Sequence, residues 1–336
     1  MKLTIITNAV AALCATIALL ALPARAVVIN ELVSSSESHS IEKFDITGKW
    51  VKTFASTGPY ISIGIAASPL TNDVFVATNS GSTSNIILRY KSGGAPLGSG
   101  GSYWDTFDVF SEFSQNPVQA LLFDSKGNLY VASQYGTSGY TVEILMFPFS
   151  QLTKKNPAPI GTPIKTTVGR GNQMAWDVFE DLCISSFIAP NTVQCYNPST
   201  GALVFDYASE IQPQGIQPVG LSFGPNNNLT VNSVFTGQIW TEEVERSGPM
   251  KELASGMVSE VGYLAVDGAG TVYMPSFHNP GGRYEGQPPY SCTYYSCMDQ
   301  DFSSDVVYAI NPSTGAVSTF ISSHLWGPYQ MIFVPF

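Results

Sequence analysis

Gly127-Asn128-Leu129-Tyr130-Val131-Ala132-Ser133 joins a turn residue, a run of β-forming side chains and a closing hydroxyl, and the same register returns four more times. The other copies are Asn72-Asp73-Val74-Phe75-Val76-Ala77-Thr78, Glu180-Asp181-Leu182-Cys183-Ile184-Ser185-Ser186, Asn227-Asn228-Leu229-Thr230-Val231-Asn232-Ser233 and Gly270-Thr271-Val272-Tyr273-Met274-Pro275-Ser276. Short apolar strands such as Leu121-Leu122-Phe123, Leu221-Ser222-Phe223 and Leu264-Ala265-Val266 precede several of them. The closing Ser or Thr falls at 78, 133, 186, 233 and 276, in steps of 55, 53, 47 and 43 residues. That period is the length of a four-stranded unit with variable loops, a propeller blade. Asn197-Pro198-Ser199-Thr200-Gly201-Ala202 also recurs unchanged at 311–316, two units later.

Almost no stretch has helical apolar spacing, and Gly, Pro, Asn and Ser turns punctuate the chain, so the fold class is all-β. Residues 330–336 read as the first strand of a further blade, whose second strand is missing at that end. It is found at the other end of the chain, where 28–34, 40–45 and 49–54 read as three strands. The expectation is one domain over 27–336, a six-bladed β-propeller closed by pairing the N-terminal strands with the C-terminal strand. Blade 6 is then a composite of 27–56 and 328–336, and such closure hides strand edges that promote aggregation. Blade 5 carries a long loop insertion, 277–305.

The 336 residues carry 25 acidic and 15 basic side chains, a formal net charge of -10, and only 12% are charged, about half the usual share. With Lys154-Lys155 the only adjacent basic pair, nothing offers clustered positive charge to phosphates, which excludes a nucleic-acid partner. Lys2, an apolar stretch over 9–22 and Pro23-Ala24-Arg25-Ala26 read as a signal peptide cleaved after Ala26. The apolar stretch is shorter than the ~20 residues that span a bilayer, and no later segment is long and apolar enough, so no membrane span is expected. The expected location is secreted, extracellular or periplasmic.

Four cysteines follow the leader: Cys183, Cys195, Cys292 and Cys297. An even number in an exported chain favours disulfides. Cys183 and Cys195 are equidistant from Ala189, where Pro190-Asn191 supplies the turn, and suit the two strands of a hairpin, while Cys292 and Cys297 close a small loop within the insertion. A Cys-x4-Cys metal site is the alternative for the second pair.

The pattern Pro-x-Gly-Leu-x-Phe-x-x-x-x-x-Leu-x-Val-x-Ser runs from Pro218 to Ser233 and, one residue longer, from Pro117 to Ser133. It resembles the NHL-repeat propellers and their gluconolactonase and virginiamycin B lyase relatives. The resemblance implies a site on the face where loops between blades and between second and third strands crowd the channel mouth. For the lyases it implies histidines at the inner ends of strands; here those positions hold Gln119, Gln173, Gln217, Glu260 and Gln330. For gluconolactonases it implies a Glu, Asn and Asp set around a divalent ion, for which Glu260 and Asn172 stand in.

All three histidines, His39, His278 and His324, fall in loops of that face. Imidazole is a metal ligand and a general base near neutral pH, so these residues with Asp299 and Asp301 form a candidate site for Ca, Mg or Zn, with His278 and His324 the candidate catalytic pair. The competing reading leaves them as solvent-exposed loop histidines. The insertion also holds Tyr284, Tyr290, Tyr294 and Tyr295 on a disulfide-braced loop, a rigid contact area for a sugar face or a protein, or else a plug for the channel mouth. No Gly-x-Ser-x-Gly elbow is present, which disfavours a serine hydrolase. The expected function is binding of a glycan or other extracellular ligand, a small molecule or protein, on the loop face. The alternative is a divalent-metal lactonase or lyase on the same face.

Overall fold

The residue that opens each repeat is the one whose backbone the turn bends into the left-handed region. Asn72, Gly127, Glu180, Asn227 and Gly270 have φ of 59, 80, 61, 60 and 87°. Gly and Asn tolerate this conformation, which is why they recur there. In three of these turns an aspartate side chain holds the backbone of the turn that follows it. Oδ1 of Asp124 accepts from the N–H groups of Lys126 and Asn128, that of Asp177 from Phe179 and Asp181, and that of Asp267 from Ala269 and Thr271, all at 2.8–3.0 Å. The closing hydroxyl is buried and ties the strand end to a neighbouring segment of its own blade. Thr78 Oγ1 donates to the Ile86 carbonyl at 2.8 Å, and Ser233 Oγ accepts from Gln217 N–H at 3.1 Å.

These units form six antiparallel sheets in a computed structural model that describes residues 29–35, 38–79, 86–97, 105–108, 118–133, 142–154, 157–234, 236–242, 246, 248–257, 260–277 and 305–335. From inner to outer strand, blade 1 runs from Ile61–Ala67 to Asp105–Asp108, blade 2 from Val118–Phe123 to Ile160–Lys165, and blade 3 from Met174–Trp176 to Leu203–Asp206. Blade 4 runs from Pro218–Phe223 to Met250–Ala254. The inner strand of blade 5 is split into Glu260–Val261 and Ala265–Val266, and its outer strand is Val317–Ile321. Blade 6 is the composite: Pro328–Pro335 innermost, then Ile29–Ser35, Ser40–Asp45 and Trp50–Ser56. The two chain ends pair antiparallel, Leu32 opposite Ile332 and Val33 opposite Met331, and the Gln330 N–H donates to Ser34 Oγ at 2.9 Å. The structure is thus an all-β six-bladed propeller sealed as the sequence predicts.

The apolar alternation along each strand feeds the seams between blades. Among the described residues one buried cluster occupies each seam, for example Leu32, Ile41, Ile65 and Val74 between blades 6 and 1, and Val33, Phe44, Val307 and Ile321 between blades 5 and 6. Cys183 and Cys195 face each other across neighbouring strands of blade 3 and form a disulfide in the seam with blade 4, beside Tyr207 and Leu221. The two copies of the hexapeptide build the same turn between third and fourth strands. Asn197 Oδ1 accepts from Ser199 and Thr200 N–H, Asn311 Oδ1 from Ser313 and Thr314, all at 2.9–3.0 Å, and Gly201 and Gly315 have φ of 70 and 69°.

Candidate functional site

The inner strands bring the predicted amides to the axis, where the amides tie blades together. Gln173 is buried; its Oε1 accepts from the N–H groups of Leu221 (3.0 Å) and Leu264 (2.8 Å), and its Nε2 donates to the Leu264 carbonyl (2.7 Å). One side chain of blade 3 therefore grips blades 4 and 5. Gln330 Oε1 accepts from Ile65 N–H at 2.7 Å, linking blade 6 to blade 1, and Gln119 Nε2 donates to Tyr329 Oη at 3.4 Å. Asn232 adds a further tie, accepting from Gly220 N–H and donating to the Gly262 carbonyl at 2.6 and 2.7 Å. Gln217 is half-buried, Glu260 pairs with Phe277 through the backbone, and Asn172 is buried with Nδ2 on the Arg170 carbonyl at 3.4 Å. Above this level Ile63, Val219 and Tyr263 meet across the axis, with Phe187, Val234 and Tyr329 packed on them. Burial pushes the Tyr263 phenol well above its ordinary pKa, so it stays protonated.

Of the histidines, His39 is half-buried with Nδ1 3.2 Å from the Tyr60 carbonyl. His324 is exposed and stacks on Trp50, with ring centroids 4.3 Å apart and planes 11° from parallel. Trp50 is held in turn by its Nε1, which donates to Glu42 Oε2 at 2.8 Å. Two residues beyond His324, Trp326 is 42% exposed while its backbone N–H donates to Ser35 Oγ at 2.8 Å. The loop is further pinned by Asp305, whose Oδ2 accepts from Gly327 N–H. His278, Tyr284, Tyr290, Tyr294, Tyr295, Asp299, Asp301, Cys292, Cys297 and the leader 1–26 lie outside the described residues. Among the described residues the one grouping of three metal-ligand side chains is Asp177, Cys183 and Cys195, and its two sulfurs are joined as the disulfide. Asp177 and Asp181 there pair with Arg246, which lies 4.5 Å from the Phe179 ring centre.

The aromatic seam at Trp50, His324 and Trp326 is what the sequence reading missed. Trp50 and His324 are far apart in the chain, and their meeting across blades 5 and 6 depends on head-to-tail closure. No helix among the described residues is long and apolar enough to cross a membrane.

No family model and no curated protein matches the sequence. Solved structures do. A protein of unknown function from Bacteroides caccae aligns with a TM-score of 0.63 at 13% identity, over 91% of this chain and 99% of that one. The periplasmic gluconolactonase of Pseudomonas aeruginosa aligns at 0.53 and 16% identity, over 91% and 99%. Virginiamycin B lyase from Staphylococcus aureus aligns at 0.51 and 10% identity, over 87% and 80%. These likenesses bear out the propeller fold and single out no relative.

Proposed function

We propose that the protein is an exported propeller that binds a glycan on its loop face, at the seam of blades 5 and 6. The observation that carries this reading is the Trp50–His324 stack with the exposed Trp326 on the same loop. Flat aromatic faces held by hydrogen-bonded backbone and by Glu42 present apolar area to the C–H face of a sugar at small entropic cost. Asp305, which closes the insertion that carries the four tyrosines, accepts from the Gly327 N–H on the His324 loop. Export is supported by the Cys183–Cys195 disulfide, which persists in oxidising compartments.

The test is co-sedimentation with cellulose, chitin and peptidoglycan, followed by calorimetric titration with soluble oligosaccharides of whichever polymer binds. Trp326→Ala and deletion of 281–300 should each weaken binding at least tenfold. Absence of binding across the panel, or binding indifferent to both changes, overturns the reading. Stoichiometric Ca, Mg or Zn in protein purified without chelator, lost in His278→Ala with His324→Ala, would move the assignment to the metal-dependent lactonase or lyase.

A further inference from the structure

The axis carries a second concavity on the opposite side of the ring. Beyond Gln173 and Gln330 the inner strands enclose a cavity of about 510 Å³ that reaches the turns at Pro69 and at Asp124-Ser125. Such a volume suits a small molecule. Its half-buried wall is apolar and drawn from several blades: Leu122, Trp176, Ala265, Val266, Ile332 and Phe333. Ile63, Val219 and Tyr263, packed across the axis, separate it from the loop face.

We propose that this cavity binds a small amphiphile with an apolar body and a cationic end, at a site independent of the loop-face glycan site. The inner end offers no free amide acceptor to a cationic head, because the Gln173 and Gln330 side-chain oxygens already accept from the backbone N–H groups of Leu221, Leu264 and Ile65. A cation placed there would be buried without an acceptor, so the charged end stays outside and the apolar body is the part inserted. The mouth has the opposite character. The turns that frame it carry Asp73, Asp124, Glu180 and Asp267 against Lys126 alone, and Asp177 and Asp181 share the single Arg246, adding one more negative charge. That imbalance attracts a cation and repels a carboxylate or sulfate. Leu70 and Val178, 53% and 64% exposed on the same turns, extend the apolar surface outward.

The experiment follows the fluorescence of N-phenyl-1-naphthylamine titrated with protein, then competed with decyltrimethylammonium or decanoate below their micelle concentrations. Saturable enhancement with one-to-one stoichiometry is expected, with the ammonium competing at a concentration at least tenfold below decanoate. Ser222→Phe and Ala265→Phe, which each place a ring in the cavity, should weaken probe binding tenfold or more, while Trp326→Ala leaves it unchanged. Unsaturable probe binding, equal competition by decanoate, or full binding by folded Phe variants overturns the proposal. The wild-type competition series decides the matter even if both Phe variants fail to fold.

Discussion

The side-chain oxygen of Gln330 lies 2.7 Å from the backbone nitrogen of Ile65, so a single amide carries the innermost strand of the composite blade onto the blade that follows it. The bond is buried and crosses the closure of the ring. Replacing Gln330 with Leu leaves the Ile65 N–H buried without an acceptor, and a loss of about 1–3 kcal/mol in urea denaturation is expected. Gln217→Leu, at a half-buried position where the backbone makes the contacts, should change stability by less than about 0.5 kcal/mol. Equal effects from the two would refute the tie.

Glu31 stands in the N-terminal strand opposite Phe44 and Phe333, fully buried, with neither carboxylate oxygen hydrogen-bonded. Burial first, and repulsion from Asp45 second, push its pKa up from 4.5 to about 8. The folded protein therefore holds this proton more tightly than the unfolded chain does. The group's stabilising contribution is complete below pH 4.5 and drains away as pH rises to about 8, by about 1.4 kcal/mol for each unit of pKa difference. Glu31→Gln keeps the neutral shape and should flatten this decline, gaining most over wild type at pH 8 and above; melting temperatures from pH 4 to 9 are the check.

The repeated hexapeptide gives an internal control. A Cβ on Gly315 would lie 2.0 Å from the Leu253 carbonyl oxygen, whereas one on Gly201 would meet nothing nearer than Ile164 at 3.9 Å. Both glycines have left-handed backbone, so Gly201→Ala should cost about 1 kcal/mol from conformation alone. Gly315→Ala adds a backbone clash between blades 5 and 4 and should cost about 3 kcal/mol or more. Matching losses would show that the seam yields at blade 4.

Removing the buried disulfide by Cys183→Ala with Cys195→Ala opens a cross-link between residues 12 apart in sequence. The expected loss is about 2–4 kcal/mol. Peptide mapping of exported protein should recover Cys183 joined to Cys195; finding both thiols free would remove the structural support for an oxidising compartment.

What the sequence made legible was what repeats. Asn72, Gly127 and Gly270 announce their turns because one backbone geometry is imposed in every blade, and the matching ends of blade 6 followed from the strand count. Gln119, Gln173 and Gln330 read from the sequence as residues of inner strands, yet their partners, such as Leu264 for Gln173, lie on other blades and depend on how the ring packs. The Trp50–His324 stack was hidden for the same reason: His324 stands out in its loop, but nothing in the sequence pairs it with Trp50, which reads as an ordinary strand residue. The turn-side cavity was invisible because a void leaves no residue pattern; its lining reads as ordinary apolar strand.

Closure through Pro328–Pro335 also orders events during synthesis. That strand leaves the ribosome after all the others, so the flank of Ile29–Ser35 it covers stays open while every other blade is already on hand. A chain interrupted before residue 328 is a gapped ring that bares the Leu32 and Val33 seams, a substrate for proteases and chaperones and not a smaller functional protein.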